Sequence, residues 1–371
     1  MEYTKDSLFF ELIRMSVGES DAISMILVNH EWHKFYEEYE KQAISGIILH
    51  GHNKLPVEQR PPKELLLQWI GEGEIIRQHN HIMDDAVVLL CKKLDSLKCR
   101  YFIVKGQTLG LLYTYQSTRQ CGDIDFIVHP SDWNKAFNFF KNTLGRGRIK
   151  SHSEKHIEWK DNGVLYEMHR KLNEFSSTKH QKYWNEEFMS EAWDHPYFIK
   201  INGYSIPTLA PLYNVLYVFV HLYYHLINEG VGLRQFVDWY YLLYKYELNG
   251  DYKEILRRHL NGIGLYNAFV GCGAVLTDYL SLDEDRFPFS ICEQDHRDSR
   301  KMVNNILHKG NFGHSVKYVH PHGVVHGIQQ FWLVLKQCVK FGYLAPSESW
   351  GYLLAKLRWW GKKYFKIAPS Y

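Results

Sequence analysis

The sequence lacks the features that assign chains to several familiar classes of protein. Its six cysteines among 371 residues form no C-x-x-C pair, so neither a zinc site nor a disulfide framework is indicated, and reduced thiols are expected. No segment offers about eighteen uncharged apolar residues, which argues against a membrane span. The first residues include acids and no long apolar run, so no signal peptide is predicted. We therefore expect a cytoplasmic protein.

A large charge of either sign is also missing. The formal net charge is +3, which argues against a globally basic nucleic-acid binder, so nucleic acid is not the expected partner. The hydrophobic share of 45% and the charged share of 23% are ordinary for a globular protein, and 371 residues suffice for two or three domains. No internal repeat or low-complexity tract was found that would indicate another architecture.

The hydrophobic pattern divides the chain into two helical regions with a strand-rich region between them. Residues 1–97 carry apolar side chains at helical spacing, and a long helix is expected from Lys63 to Leu97. Residues 212–227 are mostly apolar around the whole circumference, as in a buried helix. We therefore predict an α+β fold, in which a small mixed β-sheet module (98–209) is embedded between an N-terminal helical region and a C-terminal helical domain (210–371).

Two aspartates organise the strand-rich region. Asp123 and Asp125 stand in the run from Gly122 to Val128, and the period of two along a strand points both carboxylates to one face. Neighbouring carboxylates repel each other, so they are expected together where a divalent cation neutralises both. Mg²⁺ held by one or two carboxylates and by substrate phosphates is typical of phosphoryl and nucleotidyl transfer.

An anion site is expected just before this strand. The apolar run from Phe102 to Val104 is followed by Lys105-Gly106 and then by a helix start at Gln107. Backbone N–H groups at the start of a helix bind phosphate, and glycine lets the chain turn there. Arg119 lies between that helix and the aspartate strand.

A hairpin supplies a further acid. Asn162-Gly163 between two alternating runs is a strong hairpin signal. Glu158 lies on the first strand and Glu167 on the second, where His169 shares the face of Glu167. A third carboxylate beside the aspartate strand is what a two-cation mechanism needs, and either glutamate could supply it.

These motifs resemble the DNA polymerase β-type nucleotidyltransferase superfamily, in which a glycine-containing turn at a helix start precedes a D-x-D strand. The chain is more closely similar to a poorly characterised bacterial branch with the patterns KG…LY…R…GDIDhhV and hEhH. The matching positions are Lys105, Gly106, Leu112, Tyr113, Arg119, residues 122–128 and residues 166–169.

The resemblance implies transfer of NMP from an NTP, by default ATP, to a hydroxyl acceptor of unknown identity: a small molecule, a sugar or a protein. It implies Mg²⁺ or Mn²⁺ as the cofactor. It assigns catalysis and metal binding to Asp123, Asp125 and Glu167, and nucleotide binding to Lys105, Gly106, Gln107, Arg119 and His169. The superfamily turn is usually Gly-Ser or Gly-Gly, whereas this chain has Gly106-Gln107. That departure motivates an alternative, a catalytically weak or inactive nucleotide-binding module.

Two residue pairs in the C-terminal region leave their roles open. His221 and His225, like Arg234 and Asp238, are four residues apart and share a helix face. The interpretations are a buried network between helices, a role in lining the nucleotide or acceptor cleft, which a similar pattern in the branch supports, and a zinc site. The segment 353–366 is basic and aromatic, which fits the solvated face of a terminal helix or a patch for RNA or anionic lipid.

Overall fold

The computed structural model describes residues 4, 7–18, 29–145, 148–150, 156–228, 230–248, 250–311 and 324–365, and the side chains of 29, 30, 324, 326 and 359–365 are outside that description. Helices dominate these residues, with a small mixed sheet between helical segments, which confirms the predicted α+β class. No helix in these ranges has both the length and the apolar character needed to span a bilayer. All six cysteines are free thiols.

The elements have the following bounds. The α-helices are α1 (Leu8–Val17), α2 (Asn29–Lys41), α3 (Ser45–Gly51), α4 (Lys63–Ser96), α5 (Gly106–Gly110), α6 (Trp133–Leu144), α7 (Thr178–Tyr183), α8 (Met189–Asp194), α9 (Pro211–Ile227), α10 (Leu233–Lys245), α11 (Asp251–Gly262), α12 (Tyr266–Leu280), α13 (Glu293–Lys309), α14 (Val324–Phe341) and α15 (Pro346–Phe365). The strands are β1 (Tyr101–Val104), β2 (Asp123–Val128), β3 (His156–Asp161), β4 (Val164–His169), β5 (Pro196–Ile201) and β6 (Tyr204–Leu209). Short 3₁₀ turns cover His52–Lys54, Val57–Gln59, Gln116–Thr118, Pro130–Asp132 and Glu284–Arg286, and a π turn covers Trp184–Phe188.

The four-stranded sheet has the order β1-β2-β4-β3, while β5 and β6 form a separate hairpin. Strand β2 pairs parallel to β4, with Asp125 opposite Glu167, and antiparallel to β1. The turn between β3 and β4 has positive φ at both Asn162 (47°) and Gly163 (83°), the geometry that Asn-Gly hairpins favour. The predicted hairpin is therefore confirmed, and it brings β4 beside the aspartate strand.

One face of this sheet is apolar and the other carries the acids. Ile124 and Phe126 of β2 are buried in a core formed with the C-terminal half of α4 and with α6, where Phe126 packs against Trp159 at 6.0 Å between ring centroids. The alternating residues Asp123 and Asp125 belong to the opposite face, as the period of two predicts. The apolar core thus fixes the direction in which both carboxylates point.

A larger core joins helices from both ends of the chain. Helix α9 is buried on nearly every side, as predicted, and contributes to a cluster that also includes α1, α3, α10 and α12. Phe10 of α1 packs against Tyr279 of α12, with ring centroids 4.7 Å apart. The amide of buried Gln42 donates to the carbonyl of Ile306 and accepts from the N–H of Leu233. The division of the chain near residues 97 and 209 stays a prediction.

Candidate active site

The turn between β1 and α5 places a lysine against the aspartate strand. Lys105 has φ of 56° and Gly106 has φ of 41°, so the chain reverses through backbone conformations that glycine adopts most easily. A side chain at position 106 would lie 3.3 Å from Cys121 Sγ. The resulting turn brings Lys105 Nζ to 2.7 Å from Asp125 Oδ2 and to 5.9 Å from the centre of the Tyr217 ring.

The predicted acids converge on the same face of the sheet. Asp125 and Glu167 are opposite each other in the parallel β2–β4 register. His169, two residues beyond Glu167, lies with Nε2 2.6 Å from Asp125 Oδ1 and 3.5 Å from Glu167 Oε2. Both oxygens of Asp125 are therefore engaged, one by Lys105 and one by His169.

The environment separates the pKa values of the three acids. Burial opposes ionisation of Asp125, but Lys105 and then His169 outweigh it and hold its pKa well below the usual range. Repulsion from Asp125, followed by burial, raises the pKa of Asp123. Burial and then the two aspartates raise the pKa of Glu167 to about 7. One carboxylate is thus firmly ionised, and another is able to exchange a proton near neutral pH.

These residues line one cavity of about 480 Å³. Four carboxylates reach it, from Asp123, Asp125, Glu167 and Asp238, together with three permanent cations, Lys105, Arg119 and Arg234. The lining also includes His156, His169, His221 and His225. A cavity with acids on one wall and guanidinium and ammonium groups beside them suits a cation-bound polyanion such as a nucleoside triphosphate.

Arg119 is buried at the cavity wall in a two-pronged ion pair. Its Nε lies 2.7 Å from Asp238 Oδ1 and its Nη2 donates to Asp238 Oδ2 at 2.9 Å. The Tyr113 hydroxyl donates to the same carboxylate at 2.6 Å. Arg234, on the helix of Asp238, donates to the carbonyl of Gln120 at 2.7 Å. The Arg/Asp pairs therefore build a buried network and line the cavity as well.

Helix α9 presents Tyr217, His221 and His225 to the cavity, at a spacing of four residues. Tyr217 was not among the predicted site residues, although its spacing from the two histidines was a signal for a shared face. His221 and His225 also line a second cavity of about 480 Å³, whose wall includes Phe175, Tyr224 and Tyr352. The two histidines therefore form a partition between two adjoining cavities.

The acidic wall contains donor atoms that fit a divalent cation. One ligand atom each from Asp125, Glu167 and His169 lie within 4.8 Å of one another, and His156, Glu158 and Glu167 form a second such group. Carboxylate oxygens suit Mg²⁺ and Mn²⁺, and imidazole suits transition metals. Asp123 lies outside both groups but lines the same cavity. His221 and His225, for which zinc was one interpretation, are in neither group.

The structure separates the nucleotide-binding candidates. Lys105, Gly106, Arg119 and His169 line the cavity. Gln107 does not: its side-chain amide donates to Asp84 Oδ1 at 2.6 Å and so faces α4. The short helix α5 turns the Gln107 side chain away from the cavity and toward the core, and the prediction that Gln107 binds nucleotide stays a prediction. Glu158 lies opposite Glu167 in the β3–β4 register and does not line the cavity.

Comparison with known proteins gives the chain a family. Among solved structures it resembles an antigenic nucleotidyltransferase-like protein from Paracoccidioides brasiliensis, with 15% identity and a TM-score of 0.37 over 58% of this chain and 96% of that one, too weak a likeness to support an argument. No curated protein matches the sequence. The model of the family described as "Uncharacterised nucleotidyltransferase" matches residues 29–276, more than half of the chain. The chain therefore belongs to this nucleotidyltransferase family.

Proposed function

We propose that this protein transfers NMP from an NTP, by default ATP, to a hydroxyl acceptor, with Mg²⁺ or Mn²⁺ as cofactor. The observation that carries the proposal is the register of β2 and β4, which puts Asp125 opposite Glu167 on the cavity side of the sheet. Asp123 reaches the same cavity from two residues earlier, beside Lys105. Acids alone would repel a triphosphate, so this arrangement supports a reaction in which a cation lies between them.

Asp123, Asp125 and Glu167 would hold the cation. When bound, it would screen the charge of the phosphates and lower the pKa of the acceptor hydroxyl. His169 would orient Asp125, because its Nε2 lies 2.6 Å from Asp125 Oδ1. The hydrogen bond leaves this carboxylate little freedom to turn, which favours catalysis that depends on fixed ligands.

Lys105, Gly106 and Arg234 would receive the triphosphate. Burial and then the charge of Arg119 lower the pKa of Arg234, so an anion beside Arg234 would be bound with a gain in electrostatic energy. Arg119 would add positive charge without direct contact, because its Nε and Nη2 are already bonded to the carboxylate of Asp238. We therefore propose Arg234 for the direct contact with the phosphates, while the contact that the sequence predicts for Arg119 stays a prediction.

Glu167 would act as the general base. In the reaction the acceptor oxygen forms a bond to the α-phosphorus, the bond from that phosphorus to the bridging oxygen breaks, and pyrophosphate leaves with the electron pair. The acceptor proton would move to the carboxylate oxygen of Glu167 that does not hold the cation, since a carboxylate within reach of the acceptor hydroxyl can serve as its base. The second cavity, beyond His221 and His225, offers an aromatic wall on which the acceptor would bind.

The test is release of pyrophosphate with ATP, GTP, CTP or UTP and either cation, together with mass spectrometry of candidate acceptors, including the protein itself. Asp123→Asn and Asp125→Asn should each lower the rate at least about a hundredfold. Asp161→Asn is the matched control, because Asp161 ends a strand of the same sheet but does not line the cavity. An unchanged rate in Asp125→Asn, with the fold intact by circular dichroism, would refute the proposal.

One observation favours the second candidate, a nucleotide-binding module without turnover. Lys105 and His169 already engage both oxygens of Asp125, so a cation would have to compete with them. Titration calorimetry distinguishes the two functions. Cation-dependent NTP binding without pyrophosphate release, on any acceptor tested, would support the module.

A further inference from the structure

The last two helices form a hairpin with an apolar outer surface. We call α14 (Val324–Phe341) and α15 (Pro346–Phe365) the C-terminal hairpin. Besides Val325 at 49%, six of its apolar side chains are between 41% and 67% exposed: Ile328, Trp332, Val339, Trp350, Leu354 and Leu357. The spacings of four and seven on α14, and of four and three on α15, put each set on one face of its helix.

The inner side of the hairpin is already occupied. Val334 and Cys338 of α14 pack with Leu353 of α15 in a small core of their own. The amides of Gln337 and Asn305 exchange two hydrogen bonds, of 3.1 and 3.0 Å, which attach α14 to α13. Because these contacts fix the orientation of the hairpin, its outer apolar face is not a core face that could simply rotate inward.

The outward charges of the hairpin are all of one sign. The sequences of α14 and α15 contain a single acid, Glu348, and it is 0% exposed. The basic residues in those sequences are Lys336, Lys340, Lys356, Arg358, Lys362 and Lys363. The described part of the hairpin therefore offers solvent an apolar face accompanied only by positive charge.

The geometry points to this face as a docking surface for an anionic lipid membrane. Aliphatic side chains and tryptophan enter the boundary between headgroups and acyl chains, and lysine and arginine are attracted by anionic headgroups. A nucleic acid would use the cations and the aromatic rings, but it offers no stacking partner for Ile328, Val339 or Leu354. A second copy of the chain would bring like charges together across a symmetric contact. An anionic bilayer satisfies both features at once.

Co-sedimentation of the full chain with vesicles tests this inference. We expect binding to vesicles of phosphatidylcholine mixed with phosphatidylglycerol, weaker binding at high salt, and little binding to phosphatidylcholine alone. The double variant Trp332→Ala/Leu354→Ala should reduce binding at least about tenfold. Ile82→Ala/Leu89→Ala is the matched control, since these side chains on α4 are 54% and 57% exposed, and it should bind like the wild type.

Charge reversal gives a second arm. Lys336→Glu/Arg358→Glu should abolish the preference for anionic vesicles, whereas Lys63→Glu/Lys200→Glu, which changes exposed lysines on α4 and β5, should keep it. Equal binding to neutral and anionic vesicles, absence of binding, or identical behaviour of hairpin and control variants would overturn the inference. A dimer that light scattering detects in the wild type but not in Trp332→Ala/Leu354→Ala would instead assign the face to a second copy. None of these readouts depends on nucleotidyl transfer.

Discussion

Asp125 and Glu167 lie opposite each other on neighbouring strands, yet their surroundings shift their pKa values in opposite directions. The Lys105 ammonium 2.7 Å away and His169 favour the ionised form of Asp125. His169 Nε2 is farther from Glu167, at 3.5 Å from Oε2, and burial together with the aspartates favours the protonated form of Glu167. Two carboxyl groups with separated pKa values can divide ligand and base roles between them.

The pKa of Glu167 predicts how stability depends on pH. The pKa of Glu167 in the folded state, about 7, exceeds the ordinary value of 4.5. The contribution of protonated Glu167 to the free energy of unfolding is therefore fully present below about pH 4.5 and is lost as the pH rises through 7. Glu167→Gln should therefore gain stability relative to the wild type, by up to about 3 kcal/mol, between about pH 5 and pH 8. Urea unfolding in the presence of a chelator measures this change.

Glu64→Gln, an exposed position in the first turn of α4, is the control for the pH series. It should follow the wild type across the same range. A constant difference between Glu167→Gln and the wild type at all pH values would show that Glu167 titrates normally.

The sequence was informative about individual acids and less so about their partners. Period-two alternation predicted that Asp123 and Asp125 share a face, because the rule depends only on adjacent residues. The pairing of Arg119 with Asp238 joins positions 119 residues apart, which no local pattern reveals. The direction of the Gln107 side chain likewise depends on Asp84 of α4, which only the tertiary arrangement brings near.

The β1–α5 turn has two residues with positive φ, Lys105 and Gly106, and we expect it to require glycine at position 106. At Gly106 an added methyl group would meet Cys121 Sγ at 3.3 Å, with φ of 41°. Gly106→Ala should therefore destabilise the protein by about 1–2 kcal/mol and displace Lys105 from Asp125. Thermal or urea unfolding of the variant measures the first effect.

Gly122→Ala is the matched control for this turn. Gly122 also lines the cavity, but an added methyl group there meets no atom within 4 Å. The free energy of unfolding of Gly122→Ala should stay within about 0.5 kcal/mol of the wild type, because an alanine that fits the folded state also restricts the unfolded chain. Equal losses in the two variants would mean that the turn does not require glycine at position 106.

At the level of elements, strong local sequence signals were sufficient to predict a long helix and a hairpin. The helix expected from Lys63 to Leu97 is α4, Lys63–Ser96, and the Asn162-Gly163 hairpin forms as predicted. The parallel pairing of β2 with β4 needs α6 and β3 between them, and neither strand carries that information in its own residues. The order of the strands in the sheet could therefore not be predicted from the hydrophobic periodicity of the sequence.

For the whole molecule, Glu348 is one of the residues that attach α15 to the rest of the protein. This fully buried carboxylate accepts from the N–H groups of Ser176 and Ser177, at 2.7 and 3.3 Å, and from the Tyr224 hydroxyl at 2.6 Å. His180 Nδ1 lies 2.5 Å from it. Glu348→Gln presents an amide N–H₂ to these donors, so it should cost about 3 kcal/mol of unfolding free energy.

Hydrogen exchange measures which elements lose protection in this variant. In Glu348→Gln, α15 should exchange faster than in the wild type, while the sheet should stay protected. Glu284→Gln, at an exposed 3₁₀ turn, should change neither. Uniform loss of protection throughout the molecule would mean that Glu348 supports the global core rather than the attachment of the hairpin.

The packing of α1 against α12 has a consequence for folding during translation. Phe10 packs against Tyr279, so α1 emerges long before the helix that covers it has been translated. At bacterial or eukaryotic elongation rates the wait is roughly ten to fifty seconds. During that interval the apolar face of α1 that α12 covers lacks its native partner, and a chaperone or a non-native contact would shield it until α12 has been translated.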